Sequence, residues 1–201
     1  MNALVHVTNW GNSLLLMPLA LAIAVGLLVD ARAGLAARWS LVFALGVLLT
    51  LATKIAFLGW AIGIAALDFT GVSGHTMLAA SVLPMLAWWV TEGRGPGARR
   101  ATIAAAALLA LAIGVTRVVL GQHSPSEVVA GLAVGYGVAA VAIAGAAPRS
   151  GRPLPRWIVV AGVAVAFTIP FGRPIEGPHD IVTGIALTLS GHETVYTRDA
   201  L

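Results

Sequence analysis

The chain has 201 residues, of which 59% are hydrophobic and only 10% are charged, and its mean hydropathy is +0.93. A soluble domain carries about 25% charged residues, so this composition excludes a protein whose surface faces water. The sequence contains no cysteine, which excludes disulfides. The formal charge of +4 comes from basic residues between apolar runs, which indicates orientation in a membrane rather than nucleic-acid binding. We therefore expect an all-α, polytopic membrane helix bundle.

Six apolar runs approach the length of about 20 residues that a helix needs to cross the hydrocarbon core. Strands are not expected, because the runs are continuous rather than alternating. The predicted spans are Ser13–Asp30, Ser40–Leu58, His75–Val90, Ala101–Leu120, Ser124–Ala146 and Trp157–Pro170. No basic region precedes the first run, so we expect a true span and not a cleaved signal peptide. We expect one domain, residues 1–201, with about six transmembrane helices.

Basic residues concentrate in the turns after the first, third and fifth predicted spans, which hold eight of the twelve. Such turns favour the cytoplasmic side of a membrane. We therefore expect a multi-pass protein of the cell (inner) membrane whose N-terminus faces the periplasm. The eight residues are Arg32, Arg38, Arg94, Arg99, Arg100, Arg149, Arg152 and Arg156.

The chain after Phe171 contains Pro174 and Pro178 and then the apolar stretch Ile181–Leu189. That stretch is too short to span a membrane. We interpret it as an interfacial or packed helix.

Other ionisable residues gather in three segments that the predicted topology brings to the outer face. Lys54 lies near the outer end of the second span. The turn Asp68–His75 follows it, and the segment Arg117–Glu127 joins the fourth and fifth spans. Ionisable groups at membrane spans are costly and are functional candidates by default.

These residue types suit phosphoryl transfer. Lys54 and Arg117 can neutralise phosphate oxygens. The helix that begins at Ser73-Gly74-His75 offers free backbone N–H groups to an anion. Two histidines supply one nucleophile and one acid for the leaving oxygen. A carboxylate beside the nucleophilic imidazole would fix its tautomer.

The arrangement resembles the type-2 phosphatidic acid phosphatases, the membrane lipid-phosphate phosphatases related to glucose-6-phosphatase and the vanadium haloperoxidases. That family carries a lysine with Arg-Pro seven residues on, then Pro-Ser-Gly-His, then Ser-Arg, five residues, His, three residues and Asp. Here the second motif reads Val72-Ser-Gly-His75, and the third reads Thr116-Arg117, five residues, His123, three residues and Glu127. The resemblance covers about residues 54–131.

The resemblance implies that His123 attacks phosphorus and forms a phosphohistidine, that Glu127 orients His123, and that His75 protonates the leaving group. The phosphate would be held by Lys54, Arg117, Ser73 and Gly74. No metal and no cofactor is implied. The implied function is a metal-independent phosphatase for a lipid phosphate or diphosphate at the outer face. Its expected partners are that lipid and the membrane lipids, and no nucleic acid.

Three departures from the family pattern bear on the proposed roles. Val72 replaces proline, and Glu127 replaces aspartate with a longer side chain that can still reach the imidazole. Seven residues after Lys54 stands Ala61, so the second cation of the first motif is missing. We hypothesise that Arg173, which precedes Pro174 beyond the sixth span, supplies that cation.

Several candidates also have a purely structural interpretation. Ser124-Pro-Ser-Glu127 is a capping box, so Glu127 caps a helix either alone or together with a role in catalysis. Lys54 and Arg117 can snorkel to the headgroups, and Ser73 can serve only as a helix cap.

The histidines and Asp68 have structural alternatives too. His75 and His123 can be interfacial histidines with satisfied hydrogen bonds, although their joint occurrence near two cations favours a site. Asp68 is expected either to pair with Lys54 or to face water.

Two other functions remain open, and the missing Arg-Pro pair motivates the first. One is a non-catalytic lipid-phosphate binder or a component of a lipid transporter. The other is a lipid phosphotransferase that uses the same phosphohistidine. Phosphatidic acid, phosphatidylglycerol phosphate, undecaprenyl diphosphate and lipid A phosphate are all candidate substrates, and no oligomeric state is predicted.

Overall fold

The computed structural model describes residues 2–146 and 179–201, and this part of the chain is all-α. It contains seven α-helices and two short 3-10 turns, Ala65–Leu67 and Arg198–Ala200. The helices are α1 Asn2–Asn9, α2 Ser13–Val29, α3 Ala33–Trp60, α4 Gly74–Val90, α5 Pro96–Val119, α6 Pro125–Ile143 and α7 His179–Ser190. The predicted fold class is confirmed.

Four helical segments of the described chain are long and apolar enough to cross a membrane: Ala3–Val29, Ala33–Trp60, Pro96–Val119 and Pro125–Ile143. Large apolar side chains project from them, and Leu21 and Leu108 are 65% and 66% exposed. Lipid tails solvate such a surface, whereas water would not. The protein is therefore a multi-pass membrane protein.

The predicted spans correspond to observed helices with small shifts of their ends. The first, second, fourth and fifth predicted spans are α2, α3, α5 and α6. The third is α4, which is apolar but has only 17 residues. The predicted sixth span, Trp157–Pro170, lies outside the described residues, as does the hypothesised cation Arg173.

The short helix α4 is the centre of the bundle. It packs against α2, α3, α5 and α6, and twelve of its 17 residues are buried. Its sequence is apolar on every side, which is typical of a helix enclosed by other helices. The helix that carries His75 is thus held by its neighbours on all sides.

Glycines bring α6 against α4 at backbone distance. A Cβ added at Gly135 would lie 2.5 Å from the Met77 carbonyl oxygen and 2.6 Å from Ala80 Cβ. A Cβ at Gly131 would lie 2.8 Å from the Ser73 carbonyl oxygen. Two small residues four positions apart are the usual means by which membrane helices approach closely. This contact fixes the start of α4 relative to the start of α6.

Helix α7 packs against the C-terminal half of α3. A Cβ at Gly59 would lie 3.3 Å from Ser190 Cβ and 3.4 Å from the Ala186 carbonyl oxygen. The apolar stretch Ile181–Leu189 is therefore a packed helix, one of the two predicted forms.

Charged residues separate to the two ends of the bundle. At the end where α3 begins, Arg32 pairs with Glu92 at 2.5 Å. Arg32 and Arg99 lie 5.1 and 4.8 Å from the Trp88 ring centroid. Lys54 lies near the other end of α3. The predicted basic face and the predicted site therefore occupy opposite ends.

Candidate active site

A histidine and a carboxylate form a direct pair where the α5–α6 turn meets α6. Nδ1 of His123 lies 2.6 Å from Oε2 of Glu127. The His123 side chain is 13% exposed and the Glu127 side chain is fully buried. The longer side chain that replaces the family's aspartate does reach the imidazole.

The same carboxylate also caps α6. Ser124 occupies the N-cap position, and its backbone N–H donates to Oε2 of Glu127 at 3.2 Å. In return, the Glu127 N–H donates to the Ser124 hydroxyl at 3.4 Å. The capping box is therefore present, and it coexists with the contact to His123. Capping and orientation of the imidazole come from one side chain in one conformation.

The turn before α4 holds the other carboxylate oxygen. Thr70 donates to Oε1 of Glu127 from its backbone N–H at 2.8 Å and from its hydroxyl at 2.5 Å. The backbone N–H of Ser73 donates to the Glu127 carbonyl oxygen at 3.1 Å. These bonds join the two predicted segments, Asp68–His75 and Arg117–Glu127, into one structure.

Helix α4 presents an open N-terminus at this place. Ser73 holds the N-cap position, but its hydroxyl bonds to the Thr76 hydroxyl at 2.9 Å and not to a backbone N–H. The interpretation of Ser73 as a mere side-chain cap is therefore wrong. The first N–H groups of an α-helix have no partner within it, and the positive end of its dipole favours an anion.

Lys54 reaches this N-terminus from α3. A Cβ at Gly74 would lie 4.0 Å from Lys54 Nζ. Gly71, with φ of +151°, lets the turn lie directly on Lys54: an added Cβ there would be 3.2 Å from Lys54 Cα and Cγ. The neighbouring Thr53 accepts a bond from the Val72 N–H at 3.1 Å. The lysine therefore points into the protein, and its snorkelling alternative is not observed.

Arg117 approaches from the last turn of α5. Its Nη1 donates to the Thr8 hydroxyl of α1 at 3.3 Å, while its Nε is buried without a hydrogen-bond partner. An arginine that snorkelled to the headgroups would not bury Nε. A buried guanidinium N–H without a partner is available for an incoming anion.

His75 lies in the first turn of α4, next to the anion-binding end. The α1–α2 turn covers it: a Cβ at Gly11 would lie 3.2 Å from His75 Cβ. Lys54, Arg117 and His123 are all within electrostatic range of His75. The three predicted catalytic residues and the four predicted phosphate ligands thus converge at one end of the bundle.

The surroundings of His123 favour its neutral form. Burial lowers the pKa of His123, and the positive charges of Lys54 and Arg117 lower it further. The hydrogen bond and the negative charge of Glu127 act in the opposite direction. A neutral imidazole has a lone pair for attack, so this balance suits a nucleophile.

Asp68 does not pair with Lys54, and that alternative is wrong. Its carboxylate Oδ2 lies 2.6 Å from Nη1 of Arg198. Asp68 has a left-handed backbone, with φ of +49°, where the turn reverses before Thr70. The Asp68 side chain is 56% exposed.

Arg198 is the site residue that the motifs did not predict. Its Nη2 donates to both oxygens of Glu127, at 3.0 and 3.1 Å. The sequence carried one weak signal, because Arg198 is one of the four basic residues outside the predicted cytoplasmic turns. Ala61, where the family has its second cation, ends α3 with φ of +53°.

Within the described residues, no three His, Asp or Glu side chains form a group that would hold a metal ion.

Residues 66–150 match the family model of the PAP2 superfamily. The match supports the resemblance of this segment to the type-2 phosphatidic acid phosphatases. The matched segment includes His75, Arg117, His123 and Glu127. Lys54 lies before it.

The chain is also similar to a protein of Klebsiella pneumoniae described as an uncharacterized 22.5 kDa protein in the cps region. The two are 38% identical over 130 residues, which are 64% of this chain and 62% of the relative. The chain thus matches less than two thirds of that relative's length. No solved structure matches this chain.

Proposed function

We propose that this protein is a membrane-embedded phosphatase that cleaves a lipid phosphate or diphosphate through a phosphohistidine at His123, without a metal ion. The observation that carries the proposal is the 2.6 Å contact between His123 Nδ1 and Glu127 Oε2. A buried histidine–carboxylate pair next to two cations and an open helix N-terminus suits nucleophilic attack on phosphorus.

The contact assigns different tasks to the two ring nitrogens of His123. Glu127 accepts a hydrogen bond from Nδ1–H, so the ring proton stays on Nδ1 and Nε2 keeps its lone pair. Nε2 is then the attacking atom. As the imidazole gains positive charge in the attack, the carboxylate stabilises it.

The phosphate would lie between α3, α4 and α5. Lys54 Nζ, the buried Nε of Arg117 and the first N–H groups of α4 at Gly74 surround that position. Each donates to oxygen atoms whose negative charge grows or shifts during transfer. Preorganised donors of this kind supply most of the catalysis in phosphoryl transfer.

The reaction proceeds in two displacements. Nε2 of His123 forms a bond to phosphorus while the bond from phosphorus to the leaving oxygen breaks, and His75 gives its proton to that oxygen. Water then gives a proton to His75 and attacks phosphorus. The N–P bond breaks, which releases inorganic phosphate and restores neutral His123.

The surroundings of the site favour an amphipathic substrate at the outer leaflet. The bundle below the site exposes large apolar side chains to lipid, among them Val119, which is 61% exposed. Acyl or prenyl chains would lie against this surface while the phosphate enters at the helix ends. The basic cluster around Arg32 and Arg99 lies at the opposite end and supports the assignment of that end to the cytoplasm.

The test uses purified protein, a panel of lipid phosphates and diphosphates, and the variant His123→Ala. Wild type should release inorganic phosphate in the presence of a chelator, and vanadate, a mimic of five-coordinate phosphorus, should inhibit it. His123→Ala should lower kcat by about 10³-fold or more. The matched control is His6→Ala, because His6 is an exposed histidine and is not among the charged groups that act on His123.

Three results would contradict parts of the proposal. Full activity in a folded His123→Ala protein would exclude the phosphohistidine. Tight binding of the lipid phosphate without release of phosphate would favour the binding or transport function. Phosphorylated products formed with added alcohol acceptors, in place of free phosphate, would favour a phosphotransferase.

A further inference from the structure

The C-terminal segment returns to the candidate active site. After α7 ends at Ser190, the backbone N–H of Tyr196 donates to the Leu58 carbonyl oxygen on α3 at 2.9 Å. A Cβ at Gly63 would lie 2.5 Å from Leu201 Cδ2, so the last residue packs on the loop after α3. Residues 191–201 therefore have a defined place beside the site.

Arg198 links this segment to two acidic residues. Its Nη2 bonds both carboxylate oxygens of Glu127, at 3.0 and 3.1 Å. Its Nη1 bonds the carbonyl oxygen of Asp68 at 2.8 Å and the Asp68 carboxylate at 2.6 Å. Both terminal nitrogens already bond protein oxygens, so Arg198 is not a phosphate ligand in this arrangement.

We propose that Arg198 is a positioning residue for the reaction: it holds the buried Glu127 carboxylate so that Oε2 faces His123 Nδ1, and it shares the negative charge of that carboxylate. This inference rests on the proposed function of His123 as nucleophile. Glu127 is fully buried and bonds His123, Thr70, Ser124 and Arg198. Arg198 is the one residue among those four with a permanent positive charge.

The shared charge sets how strongly Glu127 attracts the proton of His123. A carboxylate that already accepts two bonds from a guanidinium is a weaker partner for an imidazolium. With Arg198 present, His123 stays neutral and Nε2 stays free to attack. Without it, the full negative charge of Glu127 would act on His123, and the imidazole would bind a second proton at higher pH.

Other charged groups also act on the charge state of His123, so the effect of Arg198 is one contribution among several. Those within electrostatic or hydrogen-bond range of His123 are Lys54 on α3, His75 on α4, Arg117 on α5 and Glu127 on α6. Asp68 reaches this group through Arg198. Lys54 and Arg117 repel an imidazolium, as Arg198 does through Glu127. Substitution of Arg198 removes only the part of this effect that Arg198 contributes, while Lys54 and Arg117 still disfavour the charged imidazole.

The experiment compares Arg198→Gln, Arg198→Lys, Asp68→Asn and Asp199→Asn in the full chain. Asp199 is an exposed neighbour in the same segment and serves as the control. The first readout is the titration of His123 followed by NMR of ¹⁵N-labelled histidine in detergent or nanodiscs, with the signal assigned from His123→Ala. This readout needs no turnover. The second readout is kcat and KM against pH.

Arg198→Gln should move the His123 titration upward by about one pH unit. It should also lower kcat by up to about tenfold on the acidic limb of the pH profile and by less at neutral pH, with little change in KM, because the phosphate ligands remain in place. Arg198→Lys should restore part of both effects. Asp68→Asn, which removes the carboxylate charge beside Nη1 of Arg198 but keeps the bond to the Asp68 carbonyl oxygen, should cause a smaller shift, and Asp199→Asn should cause none.

The inference is overturned if neither Arg198→Gln nor Asp68→Asn shifts the titration, even if kcat falls, because a purely structural role would lower activity without moving it. Asp68→Asn keeps the test decisive if Arg198→Gln does not fold. A shifted titration in a protein that releases no phosphate from any lipid would support the role of Arg198 and refute the proposed phosphatase activity.

Discussion

The most informative residue is Glu127, because one buried carboxylate serves three purposes. It caps α6 through Ser124, fixes His123 Nδ1 at 2.6 Å, and accepts bonds from Arg198. Helix capping and orientation of a nucleophile usually belong to different side chains. Here a substitution of Glu127 perturbs both, so a test of its chemical role must keep the cap intact or measure its loss separately.

Glu127→Gln is the variant that separates charge from shape. The amide keeps the size and an oxygen acceptor, but it no longer stabilises an imidazolium. We expect kcat to fall by about 10²-fold. The control Ser124→Ala should leave kcat near wild type and lower the free energy of unfolding by about 1 kcal/mol. Equal losses of kcat in both variants would assign Glu127 to capping alone.

The pH dependence of activity follows from the same pair. Burial, followed by Lys54 and Arg117, lowers the pKa of His123 from its usual value of 6.5. Attack requires neutral His123, so the limb of the pH profile that His123 controls should rise with pH and be complete below pH 6.5. His75 acts as an acid and must be protonated, so it controls a separate limb on which kcat falls as pH rises. In Glu127→Gln the limb that His123 controls should move to still lower pH, because the group that favours the charged imidazole is gone. Measured on one substrate, a shift to higher pH would contradict this assignment.

At the scale of the helices, Gly131 and Gly135 let α6 pack closely against α4. Since Gly135 and Gly131 place α6 against the carbonyl groups of Met77 and Ser73, their missing side chains set the distance between two helix starts. The phosphate ligands at Ser73 and Gly74 belong to one of these starts, and Glu127 belongs to the other. Helix packing in the middle of the bundle therefore controls the geometry at its end.

Gly135→Ala tests this control. Its added methyl group would lie 2.5 Å from the Met77 carbonyl oxygen, so the helices must separate. We expect a loss of about 1–3 kcal/mol in stability, read as a lower Tm, together with lower activity. The matched control is Gly137→Ala, two residues further along α6, where an added Cβ meets no atom within 4 Å. Equal Tm values for the two variants would refute the packing argument.

For the whole molecule, the distribution of charge predicts its orientation. The basic cluster around Arg32 and Arg99 lies at one end, and the candidate active site lies at the other. The chain has no cysteine, so single-cysteine variants can be labelled without background. Ala66 lies in an exposed turn at the site end, and Gly95 lies in an exposed turn at the basic end with no atom near its Cβ position.

A membrane-impermeant maleimide should label Ala66→Cys in intact spheroplasts and label Gly95→Cys only after permeabilisation. The physical reason is the retention of arginine-rich turns on the cytoplasmic side. The reverse pattern would place the site in the cytoplasm and would exclude substrates of the outer leaflet.

The sequence by itself determined the membrane helices of the described residues, the two histidine segments and their common end of the bundle. Hydropathy over about 20 residues and a motif such as Thr116–Glu127 are local properties, so they can be read without a fold. The Ser124–Glu127 capping box is equally local, and it is present as predicted.

Only the tertiary structure decided how these segments complete one another. Arg198 meets Glu127 across 71 positions of the chain, and Asp68 pairs with Arg198 rather than with Lys54. Such pairs depend on how α7 packs on α3 and on how residues 191–201 then pack beside the candidate active site. Neither contact produces a periodic pattern in the sequence. The sequence pointed to the family's missing cation at Ala61, whereas the fold revealed a different arginine that acts on the carboxylate of the pair.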